Sequence, residues 1–339
     1  MKPIVAMKSV AAGARVCDPQ RVASKTALDS GFQLILSSGV LRLTEPRSGR
    51  GGETPPPRLV SQLSARPTMA RERARQARAL LTECRLCAHD CGVNRLAGET
   101  GRCHAGAEPR FFSAQVEVSD ELELMPTFSV ALSGCDLRCD FCITGRESWD
   151  ARAGAGFDAE AMAVRARAAL QAGARTIMVL GGEPTIHLPA ALDFVSRLSP
   201  RAKLIWKTNA HGTAQARELL DGMFDIWLAD FKFGNDACAE RLAKVSDYVR
   251  VVQENLLWAA AHSELIVRHL LMPGHLECCW QPVAFWLAEN LPGVKVNLRT
   301  GFWPAWHARR HADLRGTVAT PEAERARQLA RECGLNLVE

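Results

Sequence analysis

The sequence of 339 residues lacks any apolar run approaching the roughly 18 residues that a membrane span requires. It also lacks, near its N-terminus, the apolar segment of a secretory signal, so we expect a protein that stays in the reducing cytoplasm. Charge is not concentrated either, because the net charge is only +5 and the arginines are scattered among acidic residues. This balance predicts no membrane partner and no nucleic-acid partner.

Cysteine, by contrast, is abundant and mostly clustered. Seven of the twelve cysteines fall into two tight groups, which are Cys84, Cys87, Cys91 and Cys103, and then Cys135, Cys139 and Cys142. In a reducing compartment, clustered cysteines are more often metal ligands than disulfides. We expect the scattered remainder to be small buried hydrophobic side chains: Cys17, Cys238, Cys278, Cys279 and Cys333.

The first 68 residues differ in composition from the rest. They are rich in Ser, Gly, Arg and Pro, and they contain the run Gly-Gly-Glu-Thr-Pro-Pro-Pro at 51–57. Such a segment buries too little apolar surface to offset its loss of conformational entropy, so we expect residues 1–68 to be mostly disordered or a non-native extension. A helix predicted over 70–82 follows Met69 and opens a Cys-rich metal-binding cap that we place at 69–125.

Short apolar runs alternate with helical patterns from residue 128 onward. Six runs are typical of buried parallel strands, at 128–133, 176–180, 203–207, 225–230, 265–271 and 294–298, and 248–252 is a weaker candidate. Helical patterns lie at 158–171, 189–198, 214–220, 237–244, 253–262 and 277–290, and a last helix with Thr320 as N-cap runs to about Cys333. The alternation predicts an α/β fold, a partial (βα)6 barrel over 126–339 with the small N-terminal Cys-rich cap.

Polar residues stand where the predicted strands end. Cys135 follows the first strand, Gly181, Gly182 and Glu183 follow the second, and Asn209 follows the third, while Asp230 and Lys232 stand at the end of the fourth. Ligands of such folds bind at the C-terminal ends of the strands. We therefore expect these residues to converge on one site.

The second cysteine group has the spacing Cys-x3-Cys-x2-Cys, from Cys135 through Cys139 to Cys142. Three thiolates on one short loop suit three corners of a 4Fe–4S cluster and leave the fourth iron without a protein ligand. An open coordination position is typical of catalysis, whereas a structural or electron-transfer centre is normally closed by a fourth ligand. The alternative is a zinc knuckle that uses three cysteines and a histidine.

This motif, with the aromatic Phe141 directly before Cys142, resembles the signature of the radical S-adenosylmethionine superfamily. The resemblance implies that S-adenosylmethionine binds the open iron and is cleaved by one electron to methionine and a 5′-deoxyadenosyl radical. That radical then abstracts hydrogen from a substrate. An electron donor such as flavodoxin or ferredoxin is implied as a partner.

Further residues fit the same family. Gly181-Gly182-Glu183 resembles its Gly-Gly-Glu motif, whose glycines allow close backbone approach to a ligand and whose acceptors suit the methionine ammonium, although a Gly-Gly pair alone can simply mark a turn. Asp230 and Lys232 share one face of a strand and resemble the Asp-x-Lys element of glycyl-radical-enzyme activating enzymes, with a surface salt bridge as the alternative. We also assign Asn209, Lys207 and Arg268 to cosubstrate or substrate binding.

The first cysteine group offers four thiols within twenty residues. Four cysteines can close a tetrahedral zinc site or hold an auxiliary iron–sulfur cluster, and His89 or His104 could replace one of them. A closed centre of this kind serves structure or electron relay. The alternative is a cap with four reduced, buried thiols.

This cysteine block, together with the segments 230–234 and 268–275, resembles uncharacterised homologues of pyruvate formate-lyase activating enzyme over residues 80–338. Two loops depart from that pattern, at 143–146 and 299–302, and we expect both to touch substrate. No eight-cysteine insert follows Cys142, because the next cysteine is Cys238. The sequence thus differs from the larger activating enzymes.

Three functions remain open from the sequence. The first is a radical enzyme whose target is a protein glycine, as the resemblance implies. The second is radical modification of another peptide or of a small molecule. The third, from a different class, is a non-catalytic iron–sulfur or zinc protein, which would not need an open three-cysteine site beside Gly181-Gly182-Glu183.

Overall fold

The computed structural model describes residues 57–118 and 121–338. Most of the predicted extension, residues 1–56, lies outside the described residues. The first helix, α1, covers Pro57–Ala79, so it begins well before the expected residue 70, and a 3-10 turn at Leu80–Glu83 follows it. Residues 57–68 are therefore helical, in contrast to the predicted boundary at 68/69.

Buried contacts explain this earlier start of α1. Arg66 is buried, donates to the carbonyls of Pro200 (2.6 Å) and Ala202 (2.9 Å), and forms an ion pair of 2.9 Å with Asp225. Ala70, one turn later, is also buried. Over 65–79, the part of α1 whose side chains the structure describes, the buried residues are Arg66, Ala70 and Ala77, which form no apolar run in the sequence.

A single nine-stranded sheet forms the centre of the fold, in the order β3-β1-β2-β4-β5-β6-β7-β8-β9. All six predicted strands are confirmed within one residue at each end: β2 (Thr127–Leu132), β4 (Thr176–Gly181), β5 (Leu204–Thr208), β6 (Ile226–Asp230), β7 (Glu264–Leu270) and β8 (Lys295–Arg299). They pair in parallel in chain order, with registers such as Thr127 to Thr176 and Arg268 to Asn297. This is the predicted α/β fold, consistent with a partial barrel.

Three strands were not predicted. β1 (Arg110–Glu117) and β3 (Ala155–Gly156) are antiparallel and extend the sheet beyond β2, and β9 (Asn336–Leu337) pairs with β8 at the other edge. β1 has the mixed burial of an edge element. Because its residues are at most partly buried, its sequence contains no continuous apolar run that would predict a strand.

The helices cover the sheet between successive strands. They are α2 (Arg146–Trp149), α3 (Ala159–Gln171), α4 (Leu188–Ser196), α5 (Ala214–Leu220), α6 (Asp236–Ala243), α7 (Tyr248–His262), α8 (Gln281–Asn290) and α9 (Thr320–Glu332), with a π-helical turn at Leu276–Trp280 before α8. The weak strand candidate at 248–252 is wrong, because it forms the first turns of α7. The N-cap prediction is also wrong: Ala319 is the N-cap of α9, and Thr320 is its first helical residue.

The parallel strands are apolar on both faces, as the sequence runs predict. Side chains such as Met178, Ile205, Leu228 and Ile266 form one buried cluster, whereas Val179 and Trp206 belong to the larger core that contains the helices. Leu180 packs against the smaller cluster and also lines the cavity described below. The interior of the sheet is thus closely packed with apolar side chains, and polar residues follow where the strands end.

None of the helices in the described ranges 57–118 and 121–338 combines the length and the apolar character needed to cross a membrane.

Candidate active site

A cavity of about 330 Å³ opens at the C-terminal ends of the parallel strands. Eleven residues that the sequence assigns to catalysis or to cosubstrate or substrate binding line it together: Cys135, Cys139, Cys142, Gly181, Gly182, Glu183, Lys207, Asn209, Asp230, Lys232 and Arg268. They come from four strand ends and the Cys loop, which spans 133–142. The topology therefore converges as predicted, while the chemical role of each residue stays a prediction.

Backbone hydrogen bonds on both sides hold the Cys loop. Gly134 N donates to Glu147 O (2.9 Å), Arg138 N to Ala243 O (3.0 Å) and Asp140 N to Leu242 O (2.8 Å). The carboxylate of Asp140 also accepts from Lys244 Nζ (2.9 Å) and lies 2.7 Å from His311 Nε2. Main-chain hydrogen bonds and the contacts of Asp140 thus hold the segment that carries the three cysteines.

The thiols of this loop lie in a low-dielectric environment. Cys135 and Cys139 are buried and Cys142 is half-buried. Burial raises the pKa of Cys139 to about 12, although the nearby Lys232 ammonium acts in the opposite direction, and burial also raises the pKa of Cys135 strongly. A bound cation would offset this penalty, because the thiolate is the form that ligates metal.

The two glycines at the end of β4, Gly181 and Gly182, serve a purpose that the sequence did not show. A Cβ atom added to Gly182 would lie 1.9 Å from Gly134 O and 3.1 Å from Cys135 Cβ, and one added to Gly181 would lie 2.1 Å from Leu132 O. Gly182 N and Glu183 N also donate to Leu132 O and Gly134 O, both at 2.9 Å. The glycines therefore let β4 approach the Cys loop, besides lining the cavity.

Glu183 is fully buried, and donors surround its carboxyl group. Oε1 accepts from Thr185 N (3.0 Å), Thr185 Oγ1 (2.5 Å) and Thr208 Oγ1 (2.8 Å), and Oε2 accepts from Asn209 N (2.7 Å). Burial and the neighbouring Asp136 nevertheless raise the pKa of Glu183 to about 7. The side chain thus braces the ends of β4 and β5 while it borders the cavity.

Asp136, to which the sequence gave no role, links the Cys loop to the end of β5. Its Oδ1 accepts from Asn209 Nδ2 (2.7 Å) and its Oδ2 lies 2.9 Å from His211 Nδ1, while its carbonyl lies 3.0 Å from His89 Nε2. The amide of Asn209 therefore faces Asp136. Burial raises the pKa of Asp136, but His211 and Asn209 outweigh it and keep that pKa below its ordinary value.

Three basic side chains, Lys207, Lys232 and Arg268, line the cavity at the ends of β5, β6 and β7. Lys232 forms an ion pair with Asp230, which confirms that these two residues share a face. Arg268 Nε lies 2.6 Å from Glu121 Oε1, and its guanidinium lies 3.9 Å from Asp230 Oδ1. Lys207 lies 3.8 Å from the same buried Glu121. Glu121 was missed in the sequence, because it precedes the first predicted strand and reaches these basic side chains only in the fold.

The two loops that depart from the subgroup pattern border the cavity. Ile143 and Thr144 of the first loop and Arg299 and Gly301 of the second line it, together with Trp303, which follows the second loop. Ile143 is 80% exposed and Trp303 is 65% exposed, so both present apolar surface to an incoming molecule. Both loops are thus placed where the expected contact with substrate is possible.

The first cysteine group surrounds a separate small void of about 10 Å³. Cys84, Cys87, Cys91 and Cys103 line it, and neither His89 nor His104 does. Arg95 donates to Cys84 Sγ (3.6 Å), and a Cβ on Gly101 would lie 2.7 Å from Cys91 Sγ. His89, one of the two histidines that could replace a cysteine, contacts the carbonyl of Asp136 instead.

The four sulfur atoms of this group are not as close together as the ligands of a single metal ion. Within the described part of the chain, no three of the four sulfur atoms all lie within 4.8 Å of one another. Ligands on one tetrahedral zinc ion lie about 3.8 Å apart when all are sulfur. The thiols therefore ring a common void at separations larger than one ion requires.

Comparison with known proteins agrees with the site. The family profile described as the Radical SAM superfamily matches residues 130–287, which span the Cys loop and the strands from β4 to β7. A protein of Methanocaldococcus jannaschii described as uncharacterized protein MJ0674 is 30% identical over 276 residues. That alignment covers 77% of this chain and 78% of the relative.

Solved structures with similar chains include SuiB from Streptococcus suis. Its structure bound to S-adenosylmethionine matches at 16% identity with a TM-score of 0.48, over 60% of this chain and 47% of SuiB. Its structure bound to the precursor peptide SuiA gives a TM-score of 0.46, over 60% and 46%. QueE from Escherichia coli matches at 12% identity and a TM-score of 0.37, over 68% of this chain and 92% of QueE. The chain spans less than half the length of SuiB.

Proposed function

The chain belongs to the radical S-adenosylmethionine superfamily, and on that premise we propose that it reductively cleaves S-adenosylmethionine and uses the resulting radical to abstract hydrogen from a substrate in the same cavity. The observation that carries the proposal is the convergence of Cys135, Cys139 and Cys142 with Gly182 and Glu183 on one cavity. A protein that merely carried a metal centre would not need this arrangement.

The donor set of the cavity fits a 4Fe–4S cluster. Three cysteines on one short loop line it, and cysteine thiolates are the ligands that iron–sulfur clusters take. Cys135, Cys139 and Cys142 would hold the cluster. When bound there, the cluster supplies the electron that divides S-adenosylmethionine into methionine and a 5′-deoxyadenosyl radical.

The other cavity residues would position the cosubstrate. Glu183 and the carbonyls of Gly181 and Gly182 offer acceptors beside the Cys loop, which suits the methionine ammonium. Arg268 and Lys207 provide positive charge in the lining of the cavity, which suits a carboxylate.

The pair Asp230 and Lys232 supports a more specific proposal, which concerns the target of the radical. Lys232 is near enough to Cys139 to oppose the rise of its pKa, so this pair lies beside the proposed cluster. The Asp-x-Lys resemblance favours a backbone glycine of a partner protein as target. Another peptide or a small molecule remains the second candidate.

The first cysteine group would hold an auxiliary iron–sulfur cluster rather than zinc. Its thiols ring one void but are not gathered within single-ion range, whereas each thiolate of a cluster binds its own iron. Such a centre would relay electrons from a donor such as flavodoxin or ferredoxin. We expect Cys87→Ala to lower the iron content to about half and to leave the iron at the Cys loop in place.

Spectroscopy of the cluster tests the proposal. The protein is reconstituted anaerobically with iron and sulfide and reduced with dithionite, and its electron paramagnetic resonance spectrum is recorded before and after S-adenosylmethionine is added. We expect the cosubstrate to change the spectrum of the wild-type protein and of Cys333→Ala, whose thiol lies outside the cavity. A spectrum that S-adenosylmethionine leaves unchanged in a fully loaded protein would contradict the open iron and favour a non-catalytic carrier.

A further inference from the structure

Three of the scattered cysteines meet at one histidine. Nδ1 of His275 lies 3.7 Å from Cys238 Sγ, 3.2 Å from Cys278 Sγ and 3.5 Å from Cys279 Sγ. Cys278 Sγ lies 3.9 Å from each of the other two sulfurs, and all four ligand atoms lie within 4.8 Å of one another. The sequence predicts small buried hydrophobic side chains here, and Cys279 does lie in the core with Cys238 and Cys278 packed against it, but their convergence on His275 was not predicted.

The distances match the edges of one coordination tetrahedron. Zinc binds cysteine sulfur at about 2.3 Å and histidine nitrogen at about 2.0–2.1 Å, so its ligands lie about 3.8 Å apart for two sulfurs and about 3.5 Å apart for sulfur and nitrogen. The observed values are 3.9 Å for two sulfur pairs and 3.2–3.7 Å for the three sulfur–nitrogen pairs. The four atoms thus stand where a single ion would need them.

The fold brings these residues together from two crossovers. Cys238 lies in the first turn of α6, which follows β6. His275, Cys278 and Cys279 follow β7, where the spacing i, i+3, i+4 places both sulfurs on the face of the histidine, and the π-helical turn Leu276–Trp280 holds the two cysteines.

Neighbouring polar groups orient the ligands. His275 Nε2 lies 3.0 Å from Asp313 Oδ2 and 3.1 Å from Arg241 Nη2, and a proton on Nε2 donated to Asp313 would leave the Nδ1 lone pair for a metal ion. Arg241 donates to the same Asp313 oxygen at 2.6 Å. Asn235 caps α6 and donates to Cys238 Sγ (3.3 Å) and Cys278 O (2.7 Å). A carboxylate behind the histidine and an amide beside the sulfurs are the usual supports of a metal centre.

We propose that Cys238, His275, Cys278 and Cys279 bind one Zn²⁺ ion. Four protein ligands close the site, so its role is structural. None of the four lines the catalytic cavity, and the site is distinct from both cysteine groups found in the sequence. The ion clamps the loop after β6, which carries Lys232, to the turn after β7.

The arrangement favours a single ion over the alternatives. An iron–sulfur cluster would bind each ligand to a different iron and would hold the sulfurs further apart. A disulfide between Cys238 and Cys278 would leave the histidine and the third thiol without a role.

Metal analysis of the full chain tests the site. Zinc and iron per chain are measured after anaerobic purification with zinc in the medium, for the wild type, Cys278→Ser and the matched control Cys333→Ser. We expect Cys278→Ser to lose one zinc per chain and the control to keep it. Equal zinc in all three proteins, iron in place of zinc, or a mass showing a Cys238–Cys278 disulfide would overturn the proposal.

A second variant keeps all four ligands. The side chain of Asp313 is 36% exposed, so Asp313→Asn should fold, and it changes the partner that His275 shares with Arg241 while leaving all four ligands in place. We expect its zinc affinity, measured by competition with a chelator, to fall 10- to 100-fold. Co²⁺ added to the wild-type chain should give the visible absorption of tetrahedral thiolate coordination. Unchanged zinc affinity in Asp313→Asn, or no such absorption, would contradict the site.

Discussion

Gly182→Ala is the sharpest test of how the active site is assembled. The added methyl carbon would lie 1.9 Å from Gly134 O, about 1.1 Å inside the 3.0 Å limit that Cβ contacts respect. Since Gly134 O belongs to backbone that also accepts from Glu183 N, no flexible side chain can move away. Either β4 or the Cys loop must therefore shift by about 1 Å.

The expected consequences are large for catalysis and moderate for stability. Overpacking of this kind costs about 1–3 kcal/mol, and a misplacement of about 1 Å at a reacting centre can lower a rate about 10²-fold. We expect Gly182→Ala to lose about that much of its rate of S-adenosylmethionine cleavage and to lower the free energy of unfolding by about 1–3 kcal/mol, measured by denaturant titration.

Gly301→Ala is the matched control. Gly301 lines the same cavity, but a Cβ there meets no atom within 4 Å. We expect its free energy of unfolding to change by less than about 0.5 kcal/mol. Wild-type stability and cleavage in Gly182→Ala would refute the idea that β4 must approach the Cys loop so closely.

Two further predictions concern buried charge. Burial lowers the pKa of His187 to about 4. As the pH falls below about 6.5, the unfolded chain therefore binds a proton at this residue that the folded chain does not bind. We expect this difference to lower the free energy of unfolding by about 2 kcal/mol between pH 7 and pH 5. His187→Gln should flatten that part of the pH profile in denaturant titrations, and an unchanged slope would contradict the assignment. Arg66→Ala should lower the free energy of unfolding by about 2–3 kcal/mol, because Asp225 and two carbonyls lose their donor, whereas exposed Arg71→Ala should change it little. Equal stability of these two variants would show that residues 57–68 are not part of the fold.

The sequence predicted the strands well because their signal is local. Buried parallel strands are apolar on both faces, and β2 is buried along its whole length. The segment from Tyr248 to Val252 misled for the same reason, since its β-branched residues favour a strand. In α7, however, Tyr248, Val251, Val252 and Asn255 are buried at helical spacing, and tertiary packing overrides the local preference.

The residues of the sites could be predicted only where they lie close together in the sequence or stand at the ends of strands. The three cysteines of the Cys loop and the Gly-Gly-Glu segment satisfy that condition. Glu121 does not, because its partner Arg268 is far along the chain and meets it only in the folded sheet. Cys238 and Cys278 are likewise brought together by a crossover, so no spacing rule connects them.

Formation of 5′-deoxyadenosine tests the central claim most directly. The reconstituted protein is incubated anaerobically with dithionite and S-adenosylmethionine, and the product is quantified for the wild type, Cys139→Ala and the control Cys333→Ala. We predict product from the wild type and the control and none from Cys139→Ala. Cleavage retained in Cys139→Ala, or none in a wild-type protein with a full cluster, would contradict the account.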